Sequence, residues 1–202
     1  MEKELEGFLR TLASSAPVPE GGGAAALAGA LGIALGNMVG NLTLGKKKYA
    51  AVQEDILALN TEAEELRRDF IALIEEDALA FEPLSRAYGI AKDDPAREEI
   101  LETALKRAAG PPLKIMEKCA RALELIAEYG EKGSALAVSD AGCAAALTLA
   151  AMKSAALNVR INTGSMTDGT AAGEMNARAD KLLMEYGKIA EEIYENVSRR
   201  LA

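Results

Sequence analysis

Residues 17–44 read PVPEGGGAAALAGALGIALGNMVGNLTL, two prolines and three consecutive glycines followed by 21 residues without a charge. Proline fixes φ and consecutive glycines resist order, so residues 17–23 are expected to form a loop. Behind the loop, Gly29, Gly32, Gly36 and Gly40 recur at three, four and four residues, which places all four on one face of a helix. Each glycine costs a helix roughly 1 kcal/mol relative to alanine, so the stripe implies that something approaches this backbone closely. The run is long enough to cross a bilayer. It is nevertheless mostly Ala and Gly, with Asn37, Asn41 and Thr43 inside it, and the expectation is a core helix with no membrane partner.

Outward from this stretch every periodic segment is helical. Leu5, Phe8, Leu9 and Leu12 mark a first helix. From Val52 to Tyr88 apolar residues step by fours and threes, close to a heptad seam, and Pro83 should kink or interrupt that helix near its end. Asp94-Pro95 reads as a helix start, and Gly110-Pro111-Pro112 as a stop that seeds the next helix. Ser139-Asp140 opens a second small-residue helix ended by Thr163-Gly164, and a charged-backed helix containing Met175 to Val197 closes the chain. The expected fold is an all-α bundle of about six or seven helices in a single domain over residues 1–202. The two Gly/Ala-rich helices should pack centrally or at a homodimer interface.

A net charge of −8 argues against nucleic acid as a partner and against an anionic membrane surface. The sequence contains no histidine, which removes a histidine base and most catalytic zinc sites. Cys119 and Cys143 have no CxxC spacing and read as free, buried thiols of a cytoplasmic protein. The acidic, amphipathic N-terminus has none of the features of a signal sequence.

Acid–base chemistry is thereby left to Asp, Glu, Lys, Cys or Tyr. Asp77 occupies a seam position where an apolar residue belongs, an expensive place for a carboxylate unless it is paired; a small rotation would instead expose it beside Glu75 and Glu76. Gly21, Gly22 and Gly23 lead into a helix whose free N–H groups suit a carboxylate, a phosphate or a polar heterocycle, though an ordinary tight turn needs no ligand. Lys46, Lys47 and Lys48 follow the C-terminal end of that helix. They either answer its dipole or receive an anionic tail. Asp140 is a helix cap or an acid. Asn158 and Asn162, four apart, share a face and imply a common polar partner, a neighbouring backbone or a ligand ring.

Three segments, PVPEGGGAAALAGALGIALGNMVGNLTLGKKKY, EDALAFEPLSRAYGIAKD and SDAGCAAALTLAAMKSAALNVRIN, together resemble the cyclodeaminase/cyclohydrolase family: the C-terminal half of formiminotransferase-cyclodeaminase and the stand-alone bacterial methenyltetrahydrofolate cyclohydrolases. The resemblance implies a dimeric all-helical enzyme without metal or redox cofactor. Its substrate would be a tetrahydrofolate, with or without a polyglutamate tail, carrying a one-carbon unit between N5 and N10. Such enzymes close 5-formimino-tetrahydrofolate to the 5,10-methenyl form with loss of ammonia, or hydrolyse the methenyl form. On this reading Asp77 or Asp140 acts as acid/base, and Lys47 or Lys48 is an electrostatic partner or binds the glutamate tail. Gly21, Gly22, Gly23, Asn158 and Asn162 bind the pterin. The family loop reads Pro-Gly-Gly-Gly-Ser, so Glu20 stands on its first glycine and Gly23 on its serine; a positive φ there would strain Glu20. The competing reading is a non-catalytic dimerisation subunit that uses the glycine stripe only for packing.

Overall fold

The computed structural model describes residues 2–202, which form six α-helices: α1 (Glu2–Leu12), α2 (Gly21–Asn41), α3 (Gln53–Tyr88), α4 (Arg97–Lys132), α5 (Val138–Thr163) and α6 (Gly169–Leu201). Short 3-10 turns, Lys47–Val52 and Ala135–Ala137, precede α3 and α5. α2 is the axis around which α3, α4 and α5 pack, and its glycines are what lets it sit there. A Cβ on Gly29 would lie 2.5 Å from Phe70 of α3, and one on Gly36 would lie 3.2 Å from Ile126 and Tyr129 of α4. On Gly32 it would collide with Thr148 of α5, and on Gly40 with Asn60 and, at 2.6 Å, with Tyr129. One stripe therefore serves three neighbours, all within the chain.

These contacts also set direction. α2 runs antiparallel to α3 (Gly29 on Phe70, Gly40 on Asn60) and to α5 (Gly32 on Thr148). Ion pairs Lys118–Asp69 (2.6 Å) and Lys132–Asp55 (2.9 Å), with a Lys114–Glu76 pair, run along the antiparallel α3–α4 seam. At 33–55% side-chain exposure they fix register more than they stabilise. The main core centres on Phe70, Ile115, Met116, Leu123, Ile126, Tyr129 and Met152, and a smaller cluster around Leu84 and Leu105 fills one end. In the main core Tyr129 donates its hydroxyl proton to Asn60 (2.9 Å), and Asn60 donates to Asn41 (3.0 Å). Gly40→Ala would push into this network. It is expected to cost about 1–3 kcal/mol, as overpacking does, visible as a lower urea midpoint; an unchanged midpoint would mean that the helix needs no glycine there.

Four expectations are corrected. Residues 21–23 are not a loop but the first turn of α2. Residues 110–112 do not end a helix: Pro111 and Pro112 are buried inside α4, and the α-helices number six, within the six or seven expected. Pro112 has no N–H to offer the Ala108 carbonyl, and Asn162 of α5 donates to that carbonyl instead at 3.3 Å. Pro83 likewise lies within α3 without interrupting it. Of the two free thiols only Cys119 is buried; Cys143 is exposed on α5.

α2 and the segment Ala135–Thr163 are long and apolar enough to cross a membrane by length and composition, and half or more of each apolar window is buried in the fold. α1 is barely covered, with Leu5 and Leu9 each 50% exposed.

Candidate functional site

The site forms where the N-terminus of α2 meets the middle of α3 and the C-terminal half of α5. Leu66, Phe70, Leu73, Asp77, Ala80 and Leu84 follow the buried seam of α3, and Asp77 is only 3% exposed. Its neighbours take the other roles: Glu75 is exposed, and Glu76 pairs with Lys114. The carboxyl of Asp77 lies against the backbone of Gly22, where a Cβ would come far inside 3.0 Å of both its oxygens. A Cβ on Gly21 would lie 2.9 Å from Nδ2 of Asn158. The first turn of α2 is thus pressed between a carboxylate from one helix and an amide from another, which only glycine permits.

Asp77 Oδ2 is buried without a hydrogen-bond partner. Burial raises the carboxyl from 3.8 to about 6, while the Gly23 N–H aimed at it pulls the other way. The first intrahelical bond of α2 runs from Ala24 N–H to Glu20 C=O (3.0 Å), so the N–H groups of Gly21, Gly22 and Gly23 have no partner within the helix. A carboxylate poised near neutrality beside the unbonded N–H groups of Gly21 and Gly22 can take a proton from water or from a ring nitrogen while those donors hold a polar edge.

Glu20 is the N-cap of α2, with φ −120° and ψ −160°. That is ordinary extended backbone, so the expected strain is absent. Its side chain makes no capping bond. Burial first, and the charge of Asp77 second, raise its carboxyl from 4.5 to about 7. From the sequence Glu20 looks only like a misfit in the loop.

The other named residues separate into two groups. Asn158 lies over Gly21 and donates to the Ser154 carbonyl (2.9 Å). Asn162 donates to Ala108 (3.3 Å) and to the Asn158 carbonyl (2.9 Å), so its donors serve the backbone. Asp140 sits in the first turn of α5, 18 residues before Asn158, about 27 Å along the helix at 1.5 Å per residue. Lys47 and Lys48 follow the far end of α2, about 30 Å from Gly22. Lys46 there bonds Ser134 (3.1 Å), and Lys48 lies 5.5 Å over the Tyr49 ring. One chain does not bring Asp140, Lys47 or Lys48 to Asp77. Among the described residues no three His, Cys, Asp or Glu side chains gather as metal ligands would.

Residues 4–181 match the family model described as formiminotransferase-cyclodeaminase. The chain belongs to this family. It is 41% identical over 201 residues to a protein of Methylorubrum extorquens named methenyltetrahydrofolate cyclohydrolase, covering 98% of this chain and 97% of that one. It is 28% identical to the formimidoyltransferase-cyclodeaminase of Mus musculus over 92% of this chain, but spans only 35% of that longer protein. The crystal structure of formiminotetrahydrofolate cyclodeaminase from Thermotoga maritima superposes with a TM-score of 0.84 at 29% identity, covering 98% of this chain and 94% of that chain. The cyclodeaminase-family fold is therefore shared over essentially the whole length.

Proposed function

We propose that this formiminotransferase-cyclodeaminase family member is an enzyme of folate one-carbon metabolism, and specifically a 5,10-methenyltetrahydrofolate cyclohydrolase. Its near full-length likeness to a cyclohydrolase supports the substrate. The observation that carries the chemistry is Asp77, a buried carboxyl with an unpartnered oxygen against the N-terminus of α2. A scaffold gains nothing from such a group, because burial of an unpaired carboxylate is costly.

In the proposed reaction Asp77 accepts a proton from water as the water oxygen bonds to the methenyl carbon. The tetrahedral intermediate then collapses: its N5–carbon bond breaks, N5 takes up a proton, and the formyl group stays on N10. The cationic substrate and one water give 10-formyltetrahydrofolate and one proton. The N–H groups of Gly21 and Gly22 and the Asn158 amide hold the polar edge of the pterin. No cofactor is required, since water is the nucleophile and carboxyls move the protons. Asp140 then belongs to the start of α5 rather than to the chemistry.

The solved cyclodeaminase supports a second reading, in which the same carboxyl assists N10 attack on a formimino carbon and loss of ammonia. Two assays decide between them. Loss of methenyltetrahydrofolate absorbance faster than the spontaneous rate identifies the hydrolase. Appearance of that chromophore with ammonia from 5-formiminotetrahydrofolate identifies the cyclodeaminase. Neither activity would reject both.

The proposal includes a cytoplasmic homodimer. The outward face of α2 and its C-cap carry Leu27, Leu31, Met38 and Leu42 with no charge, and Leu31, Met38 and Leu42 are 52%, 47% and 41% exposed. The free cysteines suit a reducing compartment. Antiparallel pairing of α2 with its copy would carry the partner subunit's Lys47 and Lys48 towards Gly21, where they could meet an anionic glutamate tail. The double variant Leu31→Glu with Met38→Glu is expected to be monomeric by light scattering and to lose most turnover. A monomeric wild type would reject the dimer, and a fully active monomeric variant would reject a role for the dimer in turnover.

A further inference from the structure

The two consecutive prolines inside α4 remove two N–H groups, each of which would have bonded the carbonyl four residues earlier. Pro111 thus frees the carbonyl of Arg107, and Pro112 that of Ala108. Arg107 is an exposed residue and Ala108 a buried one at 4% exposure, so it is the Ala108 carbonyl that needs a donor from the protein. Asn162 of α5 is that donor (3.3 Å), and the same amide nitrogen also donates to the carbonyl of Asn158, one turn earlier (2.9 Å). Asn162 is buried, and with both N–H groups spent it has no donor left for a substrate. Asn158, held at its backbone in this way, carries the side chain that lies against Gly21, next to the Gly22 on which the Asp77 carboxyl rests.

We infer that Asn162 is a positioning residue for the reaction: it bridges the proline gap of α4 to the turn of α5 that carries Asn158, and so holds the Asn158 amide over the first turn of α2. The assignment rests on the folate reading above, in which that amide meets the polar edge of the pterin. The first turn of α2 is met by Asp77 from α3 and by Asn158 from α5, so the spacing of base and amide depends on where α5 stands. Thr163 and Arg160 tie the same stretch of α5 to Asn176 and Asp180 of α6. Asn162 supplies the polar tie to α4, and it does so at a carbonyl for which the helix has no N–H of its own. It acts through Asn158, touches no substrate atom and moves no proton.

The test measures KM, kcat and melting temperature of the full chain, with whichever of the two folates wild type turns over. Asn162→Ala should raise KM about tenfold with kcat within about threefold, because it misplaces a binding contact and leaves the base alone. It should also lower the melting temperature, since the Ala108 carbonyl is left unpaired. Adding Pro112→Ala gives α4 an N–H for that carbonyl, so the melting temperature should recover while KM stays raised. Recovery of both overturns the inference, because Asn162 would then serve the carbonyl and nothing else. Asn158→Ala should raise KM at least as far, and Asn162→Ala added to it should change KM by less than about twofold, as expected of a residue that acts through another. Increases in KM that multiply overturn the inference, and so does Asn162→Ala with KM within about twofold of wild type. Should Asn162→Ala fail to fold, its combination with Pro112→Ala carries the same KM prediction. If wild type turns over neither folate, the functional reading fails and the positioning role fails with it. If wild type is active and KM is indifferent to Asn162, only the positioning role fails.

Discussion

Asp77→Asn is expected to lower kcat/KM by about 10²–10⁴-fold, the usual contribution of a positioned acid or base, and to raise the melting temperature above pH 7. The two effects have one cause. In the unfolded chain this carboxyl ionises near 3.8, and in the fold burial raises it to about 6 against the opposing Gly23 N–H. Between those values the folded state keeps a proton that the unfolded state has lost. Stability therefore falls as pH rises through this window, and the penalty is fully present above it. A shift of this size corresponds to about 3 kcal/mol, which the uncharged amide should largely recover. The melting points of variant and wild type should diverge from about pH 4 to pH 6 and stay apart at pH 8, and below pH 4 they should converge. Wild-type kcat/KM should fall as pH drops through about 6, because the base must be ionised. Near-wild-type turnover of the variant would remove Asp77 from the chemistry. Equal melting points at pH 8 would show that its carboxylate is not desolvated.

Gly22→Ala should be almost as damaging by a different route. In an ordinary helix this change stabilises by up to about 1 kcal/mol. Here the added methyl would occupy the space of the Asp77 carboxyl, which cannot retreat from a buried helical seam without moving α2 or α3. A displacement of about 1 Å at a reacting group can cost about 10²-fold in rate, and kcat/KM is expected to fall by at least that much, with a lower melting temperature. Gly23→Ala makes the contrast. Its methyl would meet Pro19 at 3.4 Å and Ile74 at 3.7 Å, which are ordinary contacts, so its melting temperature should hold or rise. If Gly22→Ala and Gly23→Ala melt alike, the close approach of Asp77 to α2 is not what requires glycine at position 22.

The parts of the site legible in the sequence were those that depend on one helix at a time. Asp77 stands out because the seam residues around it, Leu66, Phe70, Leu73, Ala80 and Leu84, are apolar, and a period of three and four is a property of the segment alone. The glycine stripe signalled close packing for the same reason. Asn158 and Asn162 share one face of α5, but their tasks differ because they lie at different depths. Asn158 reaches the first turn of α2, and Asn162 reaches the carbonyl that Pro112 leaves free. Asp140, Lys47 and Lys48 could be placed relative to Asp77 only once the antiparallel order of α2, α3 and α5 was known. That order sets residues far apart in sequence side by side, and sends both ends of α2 to opposite ends of the bundle.

By itself the sequence determined an all-helical chain, a carboxylate in a buried seam and a backbone that must be approached closely, because helical periodicity and glycine cost are local. The tertiary structure alone decided that residues 21–23 and 110–112 stay helical. In both places a side chain from a distant helix uses what the local sequence leaves open: Asp77 the space above Gly22, Asn162 the carbonyl of Ala108.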